Sequence, residues 1–94
     1  MDFSDPNIVI LDVRTREEFE AGHLEGAKLI DYNGGEVEIA IPLLDSELGY
    51  LVYCHIGIRS ALTVELLTRA GFGNVTDLGG FEDAVEATGL PVVR

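Results

Sequence analysis

The residues with the clearest capacity for chemistry are Cys54, the one cysteine of the chain, and the short segment that follows it. An apolar run with strand character leads into Cys54, and a stretch with helical periodicity begins near Ser60, which places the cysteine between a strand and a helix. Gly57 permits a tight turn there. Converging backbone N–H groups, the helix N-terminus and the charge of Arg59 would favour an anion at this point. Such surroundings favour the thiolate form of a cysteine, which is the nucleophile.

Taken alone, a single cysteine is more often a small buried apolar residue, and the flanking residues are what favour the reactive interpretation here. His55 adds local positive charge when protonated, but a side chain adjacent in sequence usually points elsewhere. Arg59 is interpreted as an anion contact or as a clamp on the loop, against the alternative of an ion pair at the helix start. Ser60 is predicted to be the N-cap of the central helix.

Apolar runs of strand length predict four strands, at residues 7–11, 28–30, 50–53 and 75–78. Helical spacing and boundary residues predict helices at residues 19–21, 60–70 and 81–87, the first preceded by a capping box from Thr15 to Glu18. The long helix is expected to bury Leu62, Leu66, Leu67 and Ala70.

Residues 36–41 alternate polar and apolar, which is a strand pattern, although a short helix closed by Pro42 is the alternative. The apolar tail at residues 90–93 is expected to pack back on the body of the chain. Strands that alternate with helices predict an α/β domain on a parallel sheet. Ligands of such sheets lie beyond the carboxyl ends of the strands, which is where Cys54 is expected.

Length and charge narrow the range of functions. The 94 residues are enough for one domain, and no apolar run is long enough to span a membrane. The net charge of −11 argues against nucleic acid and anionic membranes as partners. A solvated acidic surface is the simpler interpretation, and an acidic face for a basic partner is the sharper one. No secretory signal is evident, so we expect a cytoplasmic protein.

No metal and no organic cofactor is implied. The two histidines, His23 and His55, together with Cys54 are too few and too scattered for a zinc site.

Several short motifs, each weak alone, occur together along nearly the whole chain: Asp12-Val13-Arg14, Glu18-Phe19, Gly22-His23-Leu24-Glu25-Gly26-Ala27, Tyr53-Cys54-x-x-Gly57-x-Arg59-Ser60, Gly71-Phe72 and Leu78-Gly79-Gly80-Phe81. In this order they resemble a single-domain rhodanese. The resemblance implies a rhodanese-like fold, with a small, mostly parallel sheet flanked by short helices.

The resemblance also implies sulfurtransferase activity, with residues 1–94 as one rhodanese-like domain. Cys54 falls at the position of the family's nucleophile, which would take a sulfane sulfur, for example from thiosulfate, and pass it from a persulfide to cyanide or a thiol. The loop expected to cradle the substrate and the persulfide consists of His55, Ile56, Gly57, Ile58, Arg59 and Ser60. Asp12, Arg14 and His23 match the family framework and are interpreted as structural residues that position the loop from behind.

The chain departs from the family pattern at three points. It lacks the helix and strand that usually precede the Asp-Val-Arg strand, so the sheet is expected to have one strand fewer. Phe81 stands where a tryptophan is common. Ile56 and Ile58 occupy loop positions that are commonly polar, which makes the mouth of the site apolar and favours a persulfidic or larger apolar donor over thiosulfate.

Alternative functions differ in chemistry. Related dual-specificity phosphatases share the fold and a Cys-to-Arg loop, but their loop is one residue longer than the four residues between Cys54 and Arg59. A regulatory interaction module is a second alternative, although such modules usually lack the cysteine. A third is a persulfide carrier that works with an acceptor protein. The partners expected for the enzyme are a small anionic sulfur donor and a thiol or cyanide acceptor, and we expect a monomer.

Overall fold

Parallel strands form the centre of the computed structural model, which describes residues 3–94. The strands in this part of the chain are β1 (Ile8–Asp12), β2 (His23–Leu24), β3 (Lys28–Leu29), β4 (Gly49–Tyr53), β5 (Val75–Gly79) and β6 (Val92–Val93). The helices are α1 (Arg16–Ala21), α2 (Glu36–Ala40), α3 (Ile58–Arg69) and α4 (Phe81–Thr88), with a 3-10 turn at Ile41–Leu43. The main sheet has the order β3–β1–β4–β5, and every neighbouring pair is parallel. The α/β class and the parallel sheet expected from the sequence are thereby confirmed.

β4 lies inside the sheet and is buried along its whole length. Its alternate residues face two separate apolar clusters. Tyr50 and Val52 pack with Leu67 of α3 on one face. Leu51 and Tyr53 pack on the opposite face, which α4 covers. A strand covered on both faces has consecutive apolar residues, which is why the sequence predicted this strand.

The segment at residues 36–41 forms α2 and the start of the 3-10 turn, so the strand interpretation is wrong and the helical alternative is correct. The left-handed backbone of Gly35, with φ at 76°, precedes the helix. Val37 is the buried residue of α2 and packs on the main core. A segment of one helical turn with one buried residue is too short to show helical periodicity, so its polar and apolar residues alternate as they would in a half-buried strand.

The central helix begins earlier than expected. Gly57 is its N-cap, so Ser60 lies inside the first turn and the N-cap prediction for Ser60 is wrong. The buried stripe of α3 consists of Ser60, Thr63 and Leu67, whose spacing of three and four residues faces the sheet. Leu62 is 41% exposed because it lies off this stripe.

Among residues 62, 66, 67 and 70, the expected burial holds fully only for Leu67; Leu66 is half-buried and Ala70 is exposed. Two polar residues occupy the stripe because each hydroxyl bonds within the helix start. The Ser60 hydroxyl donates to the carbonyl of Gly57, and that of Thr63 donates to the carbonyl of Arg59.

The C-terminal tail packs back as expected, where β6 pairs with β2 in an antiparallel ribbon. Residues 23–24, for which no strand was predicted, supply the other strand of this ribbon. Among the helices that the structure describes, none is long and apolar enough to cross a bilayer.

Candidate functional site

Cys54 lies directly after β4, at the carboxyl end of the sheet, and is fully buried. Its backbone N–H donates to the carbonyl of Gly79, the last residue of neighbouring β5, at 3.0 Å. The backbone N–H of Gly57 donates to Sγ at 3.0 Å, and the hydroxyl oxygen of Ser60 lies 3.5 Å from Sγ. Two residues of the predicted loop, Gly57 and Ser60, therefore converge on the sulfur atom.

Gly57 is required at the turn that brings its N–H to the sulfur. Its φ of 99° lies in the left-handed region, which residues with a side chain rarely adopt. A Cβ there would also face the backbone of Gly79 and Gly80 at 3.7 Å. The glycine thus permits both the turn and the approach of the loop to the end of β5.

The outer side of the loop is fastened to the turn between β5 and α4. The N–H of Phe81 donates to the carbonyl of His55 at 3.0 Å, and Ile56 forms an isolated antiparallel bridge with Gly80. The His55 side chain is exposed, and Ile56 and Ile58 are 69% and 62% exposed. The loop therefore covers Cys54 while presenting an apolar rim, as expected from the two isoleucines.

Arg59 forms a two-pronged ion pair with Glu18 of α1. Nη1 donates to Oε1 at 2.9 Å and Nη2 donates to Oε2 at 3.2 Å. The hydrogen bond from Arg59 is the largest influence that lowers the pKa of Glu18, which falls to about 2. In turn, the hydrogen bond to Glu18 raises the pKa of Arg59 above its ordinary value. The guanidinium therefore forms an ion pair at the start of α3, which is the alternative that the sequence analysis set against an anion contact or a clamp.

Asp12 and Arg14 form a buried ion pair at the end of β1. The Arg14 guanidinium donates to both carboxylate oxygens of Asp12 and to the carbonyl of Gly22. Burial is the largest single influence and lowers the pKa of Arg14, but the hydrogen bond to Asp12 and the nearby negative charges together raise it above its ordinary value. The guanidinium also lies 4.4 Å from the ring centre of Phe81, the residue whose N–H holds the loop. This arrangement brings the pair into contact with Phe81.

His23 packs against α1. Its ring stacks on Phe19 with 3.7 Å between ring centres, and Nδ1 is 2.9 Å from the Phe19 carbonyl oxygen. Its contacts are therefore with the helix that carries Glu18.

A cleft of about 460 Å³ opens beside the loop. Its lining residues are His55, Ile56, Gly80, Phe81, Glu82 and Asp83. The cleft combines apolar walls with two carboxylates, and it begins at the residue that directly follows the cysteine. Its size lies within the range of small-molecule pockets.

The structure therefore joins Cys54, Gly57 and Ser60 around the sulfur, and it places His55, Ile56 and Ile58 on the outer surface. Sequence reasoning gave Glu18 a role only in the capping box of α1. The adjacent Gly79 and Gly80, which contact the loop backbone, were noted only as part of the motif Leu78-Gly79-Gly80-Phe81. A usable signal existed, because both glycines directly follow the strand predicted at residues 75–78 and the carboxyl ends of parallel strands share one edge.

This arrangement suits nucleophilic chemistry at sulfur. An N–H group aimed at Sγ and the start of a twelve-residue helix both stabilise negative charge there. Over residues 3–94, no three His, Cys, Asp or Glu side chains form a group that could hold a metal ion.

Comparison with known proteins identifies the family to which this chain is similar. The model of the rhodanese-like domain family matches residues 2–87, which confirms the resemblance carried by the motifs. Thiosulfate sulfurtransferase PspE of Escherichia coli is 32% identical over 78% of this chain and 70% of its own length. Thiosulfate sulfurtransferase GlpE of Coxiella burnetii is 39% identical over 81% of this chain and 70% of its own length. The expectation of a sulfurtransferase-like enzyme is confirmed at the level of the family.

The chain spans smaller shares of other curated relatives, between 19% and 60% of their lengths. Among solved structures, the rhodanese-like domain of the Alr3790 protein from Anabaena is similar with a TM-score of 0.79 and 32% identity. That similarity covers 96% of this chain and 90% of the other. The expected rhodanese-like fold is therefore confirmed.

Proposed function

Because this chain belongs to the rhodanese-like family, we propose that it transfers a sulfane sulfur from a donor to an acceptor through a persulfide on Cys54. The observation that carries this proposal is the placement of Sγ at the end of β4, with the Gly57 N–H pointing at it from 3.0 Å. A donor in this position stabilises the thiolate before the reaction and the persulfide anion after it.

In the first step, the Cys54 thiolate attacks the outer sulfur of thiosulfate. A new S–S bond forms, the S–S bond within thiosulfate breaks, and sulfite leaves with the electron pair. No proton transfer is needed once the thiol is ionised, so no general base is required. The negative charge moves to the outer sulfur, where the loop N–H groups and the start of α3 face it.

In the second step, an acceptor nucleophile attacks the outer sulfur of the persulfide. The persulfide S–S bond breaks and the electron pair returns to Sγ as thiolate. Cyanide yields thiocyanate in this step, whereas a thiolate yields a new persulfide on the acceptor. The two steps balance without an external oxidant or reductant.

Access to the sulfur requires movement of the loop, since Cys54 is fully buried. The cleft beside His55 and Ile56 begins at the residue next to Cys54, and its carboxylates at Glu82 and Asp83 disfavour small anions. This environment supports a thiol or persulfide with apolar or cationic character as the natural co-substrate, in preference to the thiosulfate dianion. Cyanide and thiosulfate then serve as test substrates.

The other loop residues have separate proposed roles. Gly57 and Ser60 hold the sulfur, and Arg59 fixes the start of α3. Ile56 and Ile58, together with His55, form the rim that a co-substrate meets.

The framework residues support the loop from behind. Asp12 and Arg14 do so through Phe81. His23 supports α1 through Phe19.

A second candidate function is that of a persulfide carrier that delivers sulfur only to an acceptor protein. The exposed Ile56 and Ile58 favour it, because apolar side chains at the mouth of a site are common at protein contacts. A carrier would form the persulfide but would turn over slowly with cyanide. Rapid turnover with cyanide would exclude it.

The test of the proposed function is the intact mass of the protein after incubation with thiosulfate. We expect wild type to gain one sulfur atom that cyanide or dithiothreitol removes, and Cys54→Ser to gain none. A persulfide donor such as glutathione persulfide is tried in parallel, because the acidic cleft disfavours thiosulfate. Absence of the added sulfur with both donors would contradict the proposal.

A further inference from the structure

We propose that Glu18 is a positioning residue for the Cys54 loop, which it holds in place through Arg59. This proposal rests on the proposed sulfurtransferase function, since the loop concerned is that of the proposed nucleophile. Glu18 lies 41 residues before Arg59 in the chain, and sequence reasoning gave it only a role in capping α1.

The carboxylate of Glu18 joins two elements. Oε1 accepts hydrogen bonds from the backbone N–H and the hydroxyl of Thr15, each at 3.1 Å. The same carboxylate receives both prongs of the Arg59 guanidinium. The paired side chains are only 30% and 19% exposed. Glu18 therefore fixes the start of α1 against the start of α3.

Arg59 lies between the two residues that contact the sulfur. Gly57 precedes it by two positions and Ser60 follows it directly, and all three belong to the loop and first turn of α3. The Arg59 carbonyl also accepts the Thr63 hydroxyl at 2.8 Å, which ties it to the next turn. A restraint on the Arg59 side chain is thus a restraint on the groups that surround Sγ.

Loss of this restraint is expected to raise the rate at which Cys54 is alkylated and to lower the rate of sulfur transfer. Cys54 is fully buried and the loop contacts its sulfur, so a looser loop exposes the sulfur and speeds its modification by a neutral alkylating reagent. The same looseness misplaces the Gly57 N–H and slows sulfur transfer. A change of thiolate reactivity alone would move both rates in the same direction, so the opposite signs identify a positioning role.

Glu18→Gln is the variant that isolates this role. Glutamine also serves at the third position of a capping box, so the start of α1 is retained while the charged pair with Arg59 is lost. Glu17→Gln is the matched control, because Glu17 lies in the same first turn and is exposed. Arg59→Gln and the double variant complete a mutant cycle.

The readouts are kcat and KM for sulfur transfer from thiosulfate, and the rate at which iodoacetamide modifies Cys54. For Glu18→Gln and Arg59→Gln we expect kcat to fall about tenfold with KM changed by less than about twofold, and alkylation to rise at least about threefold. The double variant is expected to be no worse than either single variant. Glu17→Gln is expected to match wild type.

If both rates in Glu18→Gln equal those of Glu17→Gln, or if both rates fall together, the positioning role is refuted. Failure of the proposed function is a separate outcome, in which wild type gains no sulfur on Cys54. In that case the alkylation rate is compared at a pH where the thiol is fully ionised, because a looser loop still raises that rate in Glu18→Gln and a change in the thiolate population does not. Should Glu18→Gln fail to fold, Arg59→Lys supplies the same readouts, because lysine keeps the charge but lacks the two-pronged contact.

Discussion

A methyl group added at Gly80 is expected to displace the loop that covers Cys54. The new Cβ would lie 2.7 Å from the carbonyl oxygen of His55 and 3.3 Å from Cα of Ile56. Non-bonded atoms of this kind settle at about 3.5 Å, so the loop must retreat by roughly half an ångström or more. Gly80 has φ at −76°, which alanine adopts freely, so the effect of Gly80→Ala is steric and not a matter of backbone strain.

The expected loss follows from the contacts that hold the loop. A retreat of this size breaks the 3.0 Å hydrogen bond from the Phe81 N–H to the carbonyl of His55. Loss of that bond and overpacking at the turn together lower the free energy of unfolding by about 2 kcal/mol. Displacement of the Gly57 N–H from Sγ lowers the rate of sulfur transfer roughly tenfold or more.

The assay compares thermal or urea unfolding and the single-turnover rate of persulfide formation in Gly80→Ala and Gly73→Ala. Gly73 is the matched control, because an added Cβ meets nothing within 4 Å there and its φ is not in the left-handed region. We expect Gly73→Ala to be as stable as wild type or slightly more stable, with an unchanged rate. Equal behaviour of the two variants would refute the view that the β5–α4 turn fixes the loop.

The hydrogen bond from Arg59 lowers the pKa of Glu18 from 4.5 to about 2, so Glu18 stabilises the fold above pH 4.5 and loses this contribution as the pH falls towards 2. Between pH 4.5 and pH 2, the free energy of unfolding should therefore fall less in Glu18→Gln than in wild type. The difference should be below about 1 kcal/mol because the pair is partly exposed, and an equal fall in both proteins would contradict this. Asp12→Ala leaves the charge of Arg14 buried and unpaired, and urea titration should show a loss of about 3–5 kcal/mol, whereas a loss below 1 kcal/mol would contradict the pairing. Glu82→Gln should reduce the preference for cysteamine over mercaptoacetate as acceptor by up to about fivefold at low salt, and an unchanged ratio would show that the acidic cleft does not select the acceptor.

The main sheet was predictable because its strands are short apolar runs bounded by turn residues. β4 is buried on both faces, and this burial requires the consecutive apolar residues found at positions 50–53. α2 was ambiguous, since a single helical turn with one buried valine carries too few positions to separate a period of two from one of 3.6. The β2–β6 ribbon was not predictable, because two-residue strands pair by tertiary proximity and not by a local pattern.

The position of the candidate nucleophile was also predictable, because Cys54, Gly57 and Arg59 lie in one segment. The partners of that segment were not, since they come from distant parts of the chain. Arg59 was interpreted as an anion contact or a clamp, with an ion pair at the helix start as the alternative, and its partner Glu18 comes from a distant part of the chain. The start of α3 was misplaced because a serine beside an apolar run is a strong N-cap signal, whereas here the glycine turn supplies the boundary.

The measurement that tests the central claim most directly is a single-turnover chase of the Cys54 persulfide. Wild-type protein is loaded with sulfur from isotopically labelled thiosulfate or glutathione persulfide, freed of donor, and mixed with cyanide or a thiol. The proposed function predicts that the label leaves the protein in step with the appearance of labelled thiocyanate or acceptor persulfide, in equal amounts, and that Cys54→Ser carries no label. Labelled product formed by Cys54→Ser, or a labelled wild type that never yields its sulfur to any acceptor, would contradict it.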